Sequence, residues 1–200
     1  MVMLRGVRPS AAKTSAGHAY LSPWCRWVAR AHAERMKVTS RHTYSASPAA
    51  VFAAMTMPDA LIEKYTALGH QDVTIVERTE SAGVVRVISR RKVPMEVPGF
   101  AKRFLNPLNT VEQTDEWQPA TAKGERHGTW KVAASGVPVS VGGTLHLVAA
   151  PKGRTVVEIA GDVSCSIPLL GGKLAGYVGA DVERTMRAEE AFNDTYLSGR

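Results

Sequence analysis

From Lys37 the chain alternates. Val38, Ser40, His42 and Tyr44 fall on one side of an extended segment, and Lys37, Thr39, Arg41 and Thr43 on the other. This is the period-two pattern of a β-strand, polar enough to be expected half wet on both faces. Ser47-Pro48 then supplies an N-cap followed by proline at the first helical position. Val51, Phe52 and Met55 give a short helix its apolar stripe. Pro58-Asp59 interrupts, and Ala60, Leu61, Lys64, Tyr65 and Leu68 continue as a second short helix closing at Gly69.

Beyond Gly69 the pattern is β-rich for about a hundred residues. Asp72–Arg78 and Gly83–Lys92 are separated by a hairpin signal at Thr79-Glu80-Ser81-Ala82. Asn109–Trp117, Gly128–Ala134, Val139–Ala149 and Arg154–Cys165 follow, each bounded by Gly, Pro or Asp clusters. In Val139–Ala149, Val141, Leu145, Leu147 and Ala149 alternate with Gly142, Thr144 and His146, as a sheet covered on one face requires. With the first strand this predicts seven.

Residues 93–109 (VPMEVPGFAKRFLNPLN) break the series. A connection this long and this apolar reads either as a lid or portal, or as a short helix over Phe100–Leu105 packed on the sheet rim. The chain then ends in a helix from about Leu170 to Leu197, with Leu174, Val178, Val182, Met186 and Phe192 close to one stripe. Such a helix is long enough to cross a whole sheet. Its early glycines, at 171, 172, 176 and 179, weaken the first turns or permit close backbone approach. The predicted class is therefore α+β: a seven-stranded curved antiparallel sheet, two short helices after strand one, and a long C-terminal helix.

The net charge of +7 changes this picture only at one end. Residues 1–35 hold Arg5, Arg8, Lys13, Arg26, Arg30 and Arg35 against Glu34 alone. The domain at 36–200 is close to neutral and has no bulk electrostatic reason to seek nucleic acid. The segment 1–35 is expected to be a basic, poorly ordered extension. It reads as upstream sequence ahead of Met36 or as a transit peptide, with a short amphipathic helix around Trp24, Trp27 and Val28 as an option. The two cysteines, Cys25 and Cys165, make neither a disulfide framework nor a metal cluster, so a reducing, cytoplasmic setting is the default. No phosphate-binding glycine loop and no metal-ligand spacing occur in the sequence, and no cofactor is expected.

The segment HTYSASPAAVFAAMTMPDALIEKY, residues 42–65, resembles the opening of the START-like (SRPBCC) superfamily, with Ser47, Pro48, Val51, Phe52 and Asp59 at the matching positions. The resemblance extends from Lys37 to Leu197. Within the superfamily the chain looks like an actinobacterial family of domain-of-unknown-function type. The resemblance implies the helix-grip fold and a cavity between sheet and long helix that holds an apolar molecule such as a lipid or polyketide. Elementary geometry agrees: a curved sheet cannot follow a straight helix along its length. Small or medium residues at Ser40, Gly143, Ala149, Val157, Gly161, Leu174 and Val178 are expected to leave room there.

The residues expected to line that cavity are Tyr44, Arg86, Met95, Phe100, Phe104, Trp117, Trp130, Leu147, Leu174, Tyr177, Val178, Met186 and Glu189. Polar groups able to converge there are His42, Tyr44, Arg86, His146, Asp162 and Glu189, with Glu189 expected to be desolvated and raised in pKa. No nucleophile–base–orienter triad is legible, so no catalytic residue is assigned. Binding or carriage of an apolar small molecule leads. A polyketide cyclase or dehydratase-like enzyme is one alternative. A protein or anionic-membrane interaction module is another, with weak membrane-surface contact through Ser89-Arg90-Arg91-Lys92 and the basic tail. The plainer reading of that run is a soluble strand edge.

Overall fold

The computed structural model describes residues 34–199. The expectations for the basic extension lie outside that range, apart from Glu34 and Arg35, which open the first strand. Strand β1 runs Glu34–Tyr44, with Val38 and Tyr44 buried on one face and the alternate residues exposed. Its inner face is dry at those two positions and partly wet at Ser40 and His42, while the outer face is exposed.

Helix α1 (Pro48–Thr56) starts where the sequence puts it: the Ser47 hydroxyl accepts the Ala50 N–H at 3.3 Å, and Pro48 fills the first turn. Helix α2 (Pro58–Ala67) follows, burying Ala60, Leu61, Lys64 and Tyr65. Strands β2 (Gln71–Ser81) and β3 (Val84–Pro94) turn at Ala82 and Gly83, not at Thr79–Ala82. Both turn residues have positive φ, 50° and 80°, the two-residue geometry that suits a tight hairpin. Strands β4 (Leu108–Trp117), β5 (Arg126–Ala134), β6 (Val139–Ala150) and β7 (Arg154–Cys165) complete an antiparallel meander.

The strand order is β1-β7-β6-β5-β4-β3-β2, so the first strand closes on the last. Helix α3 (Gly171–Ser198) lies against β1 and β7, unbroken through its glycines. A Cβ on Gly179 would come within 2.4 Å of the Met36 sulfur, so this glycine makes room for the Met36 side chain between helix and first strand. Phe192 departs from the predicted stripe. It is half-buried and stacks on Tyr196 at 5.8 Å, while Asn193 turns inward at 4% exposure.

Two tryptophans set the middle of the sheet. Trp117 faces Gly128 across β4–β5, and Trp130 faces Gly143 across β5–β6. A Cβ on Gly161, the next residue across on β7, would lie 2.7 Å from the Trp130 ring, whose indole N–H donates to the Ala160 carbonyl at 3.4 Å. Gly161 thus seats an indole, Gly143 lies against the β7 backbone at Ala160 and Gly161, neither leaves empty volume, and Ala149 is exposed. The expectation of a small-residue lining is corrected at these three positions. No described helix is long and apolar enough to cross a membrane.

Candidate functional site

Between the inner face of the sheet and α3 lies a cavity of about 190 Å³. Val111, Val132, Val141, Val157, Trp117 and Trp130 supply apolar wall from the sheet, and Val178, Val182 and Met186 from the helix. One end is different. Strand parity carries Ser89 and Arg91 inward on β3 with Val85 and Val87, and Gln113 and Asp115 inward on β4 with Val111 and Trp117. Lys64 and Tyr65 arrive from α2, His70 from the turn after it, and Glu189 from α3.

These groups interlock. Lys64 Nζ donates to Glu189 Oε2 at 2.7 Å. Arg91 lies over the Tyr65 ring at 3.8 Å, donating from Nη1 to Ser89 Oγ at 3.0 Å and from Nη2 to Gln113 Oε1 at 2.7 Å. Gln113 Nε2 in turn donates to both Asp115 oxygens, at 3.0 and 3.1 Å. His70 stacks on the same Tyr65 ring, at 5.5 Å between centroids.

The ionisation states follow from the packing. Burial works against the Lys64 charge, but the Glu189 carboxylate outweighs it and holds the ammonium above the ordinary lysine range. Burial works against Glu189 as well, yet Lys64 and Arg91 win and hold it below its ordinary value. The expected rise for Glu189 is thereby reversed, because its partner is a buried cation. Asp115 is the carboxyl that burial pushes up, to about 6, against the pull of Gln113 and Lys64. Burial and the neighbouring Arg91 push His70 down to about 4. A firmly protonated Lys64 is no amine nucleophile, and an ionised Glu189 donates no proton. Asp115 is the group poised to exchange one near neutrality.

A second polar set lies toward the C-terminal part of α3. His42 Nε2 is 2.8 Å from Asp194 Oδ2 and its Nδ1 is 3.8 Å from Glu190, to which Ser40 also donates. Asn193 Nδ2 donates to the Tyr44 hydroxyl at 3.5 Å, and burial raises that phenol to about 12.

Of the residues expected to line the cavity, Tyr44, Met95, Trp117, Trp130, Val178, Met186 and Glu189 do so. Arg86 does not. Parity sends it to the outer face, beside Glu77 and Glu116 at 3.8 and 3.9 Å. Leu147 and Leu174 are packed solid, at 0% and 1% exposure, and reach no open volume. Phe100 turns away to meet Tyr177 edge-on at 6.3 Å, with Lys173 over its other side at 4.3 Å. Phe104 is half-buried beneath Arg103. The 93–109 connection thus holds one 3-10 turn, Gly99–Ala101, and is clasped to α3 by aromatic contact. His146 stacks on His127 at 4.1 Å on the outer face, and Asp162 is exposed.

The polar group at Lys64, Arg91, Gln113, Asp115 and His70 is what sequence reasoning missed. Its signal was present in strand parity: Arg91 shares a face with Val85 and Val87, whereas Arg90 and Lys92 point outward to Glu112 and Asp72 at 2.7 and 2.6 Å. Among the described residues no group of His, Cys, Asp or Glu could hold a metal ion.

A surface depression adjoins the cavity. It lies between the start of the 93–109 connection, the end of α2 and the first half of α3, and shares His70, Val93, Met95, Asp181 and Thr185 with the cavity wall.

The fold is that of several solved structures. Ara h 8.0201 superposes with a TM-score of 0.54 at 15% identity, over 83% of this chain and 99% of that one. The lipid transfer and protein localization domain of human StarD13 (DLC2) gives 0.52 at 11%, over 80% and 75%. TTHA0849 from Thermus thermophilus gives 0.51 at 16%, over 79% and 97%. At these identities the likeness establishes the helix-grip architecture and nothing finer. No curated protein matches the chain in sequence. A family profile described as "Protein of unknown function (DUF2505)" matches residues 39–197, and the chain belongs to that family.

Proposed function

We propose that the protein binds a compact amphipathic small molecule inside the cavity, with the apolar body against Trp117, Trp130 and Met186 and the polar end at the Lys64–Arg91–Glu189 group. The observation that carries this reading is the cavity itself: about 190 Å³, apolar along most of its wall, with the Lys64–Arg91–Glu189 group at one end and His42, Asp181 and Glu190 elsewhere on its wall. Enclosed apolar volume is poorly hydrated and favours an apolar guest. The volume lies below the ~300–1,000 Å³ usual for drug-sized ligands, which favours a short molecule over a full lipid chain. The printed description of the StarD13 domain includes lipid transfer, and the shared fold supports carriage as a class of role. Entry is through the depression between Met95, Asp181 and Thr185.

Native mass spectrometry of the purified chain, followed by organic extraction, tests the reading. A bound organic mass released on denaturation is the expected result. An empty protein that no apolar compound stabilises against heat would overturn it.

A second reading is favoured by Asp115, a buried carboxyl poised near 6 inside the cavity. A proton-transfer enzyme of the cyclase or dehydratase kind would use such a group. Conversion of an extracted ligand by the wild type but not by Asp115→Asn separates this reading from carriage.

A further inference from the structure

The two buried cations at the cavity's charged end are not alike. Lys64 has a carboxylate in contact, Glu189 at 2.7 Å. Arg91 is 4% exposed, and its side-chain partners, the Ser89 hydroxyl, the Gln113 amide and the Tyr65 ring, are all uncharged. Its Nε–H has no acceptor among the described residues. The carboxylates whose charge it feels are engaged elsewhere: Glu189 by Lys64, and Asp115 by Gln113, which spends its own N–H on both carboxylate oxygens. Neutral partners satisfy hydrogen bonds but leave the charge balanced only at a distance, and a buried charge with no carboxylate in contact is costly.

We propose that Arg91 receives a carboxylate carried by the ligand, so that the molecule bound is an organic acid with a compact apolar body. This rests on the cavity reading above and adds the head group. A guanidinium offers five N–H donors in a planar fork that matches a carboxylate, and the described partners use only some of them. The charge balance at this end fits, with the other lining carboxylates engaged elsewhere, Asp181 by Arg184 and Glu190 by Ser40 and His42. Lys64 and Glu189 cancel, His70 is neutral above about 4, and the incoming anion neutralises Arg91. Asp115 is then an excess negative charge, and with its carboxyl already poised at about 6 it takes up a proton readily. Binding of the acid therefore draws a proton from solution.

Isothermal titration calorimetry of the full chain with straight-chain acids from butanoate to decanoate, and with the matching primary amides, tests the inference. At neutral pH the best-fitting acid is expected to bind at least about tenfold more tightly than its amide, the usual advantage of a charge-assisted contact. Proton uptake on acid binding is read from buffers of different ionisation heat. Arg91→Met should reduce the acid–amide ratio to near one, and Arg91→Lys should restore part of it. An amide that binds as tightly as its acid overturns the carboxylate while leaving the cavity reading intact. So does an acid preference that survives Arg91→Met. Should neither series bind at any length, the cavity reading falls and the inference with it. If Arg91→Met does not fold, the wild-type ratio and the proton uptake decide.

Discussion

Lys64 of α2 and Glu189 of α3 meet at 2.7 Å in the interior, with the lysine side chain only 5% exposed. The pair fastens the short entry helix to the long closing one across the charged end of the cavity. Removing one partner leaves the other charge buried. Lys64→Met is therefore expected to destabilise the protein by about 3 kcal/mol, and Lys64→Met with Glu189→Met together to recover most of that. Urea unfolding of the two singles and the double measures it. Additive losses would show that the pair is not coupled.

Two interior groups give stability opposite dependences on pH. Native Asp115 keeps its proton up to about 6, whereas an unfolded aspartate loses it near 3.8. The native state binds more protons in between, so stability falls as pH rises through that window. Native His70 keeps its proton only up to about 4, while an unfolded histidine holds it to 6.5, so here stability rises with pH. Each effect is at most roughly 3 kcal/mol, and they oppose each other. The wild type is expected to be nearly flat in urea midpoint between pH 4 and 6. Asp115→Asn should unmask the rise and His70→Gln the fall. Parallel profiles for all three proteins would refute the assignment.

The indole of Trp130 occupies the space over Gly161. A methyl group there would stand 2.7 Å from the ring and 2.7 Å from the Gly142 carbonyl. Gly161→Ala should cost about 1–3 kcal/mol, with a change in tryptophan emission as the ring shifts. Unchanged stability and emission would mean that the ring is not seated on this glycine.

Adjacent arginines on β3 provide a test of parity. Arg90 faces solvent and Glu112, with half its side chain exposed, and Arg90→Ala should cost under about 0.5 kcal/mol. Arg91→Ala should cost several times more, because it removes the group that covers Tyr65 and satisfies Gln113. Equal losses would contradict the inward placement of Arg91.

The element order was legible because each signal is local. Ser47-Pro48 caps a helix wherever it occurs, and alternation reads as strand without knowledge of the partner. The cavity's charged end was not legible in the same way. A run such as Ser89-Arg90-Arg91-Lys92 looks like one charged patch until period two divides it, half to solvent and half to the interior. Glu189 was visible as a residue near an apolar stripe. The direction of its pKa depended on Lys64, which lies 125 residues away and is placed by tertiary packing. The aromatic side chains of 93–109 misled for the opposite reason: apolar character made Phe100 a plausible cavity wall, whereas Tyr177 on α3 claims it from outside.

The closure of β1 on β7 bears on how the chain comes off the ribosome. Val38 pairs with Gly161, and Met36 packs under Gly179. At about 5–20 residues per second, the first strand therefore waits on the order of ten seconds for its neighbour to be synthesised, and longer for the helix that covers both. Until then the face bearing Val85, Val87 and Trp117 has no roof, and Arg91 stands in water beside it. The cavity is a property of the finished chain alone, and a nascent chain halted just before Arg154 presents to the cell an open, sticky sheet without its closing strand and helix.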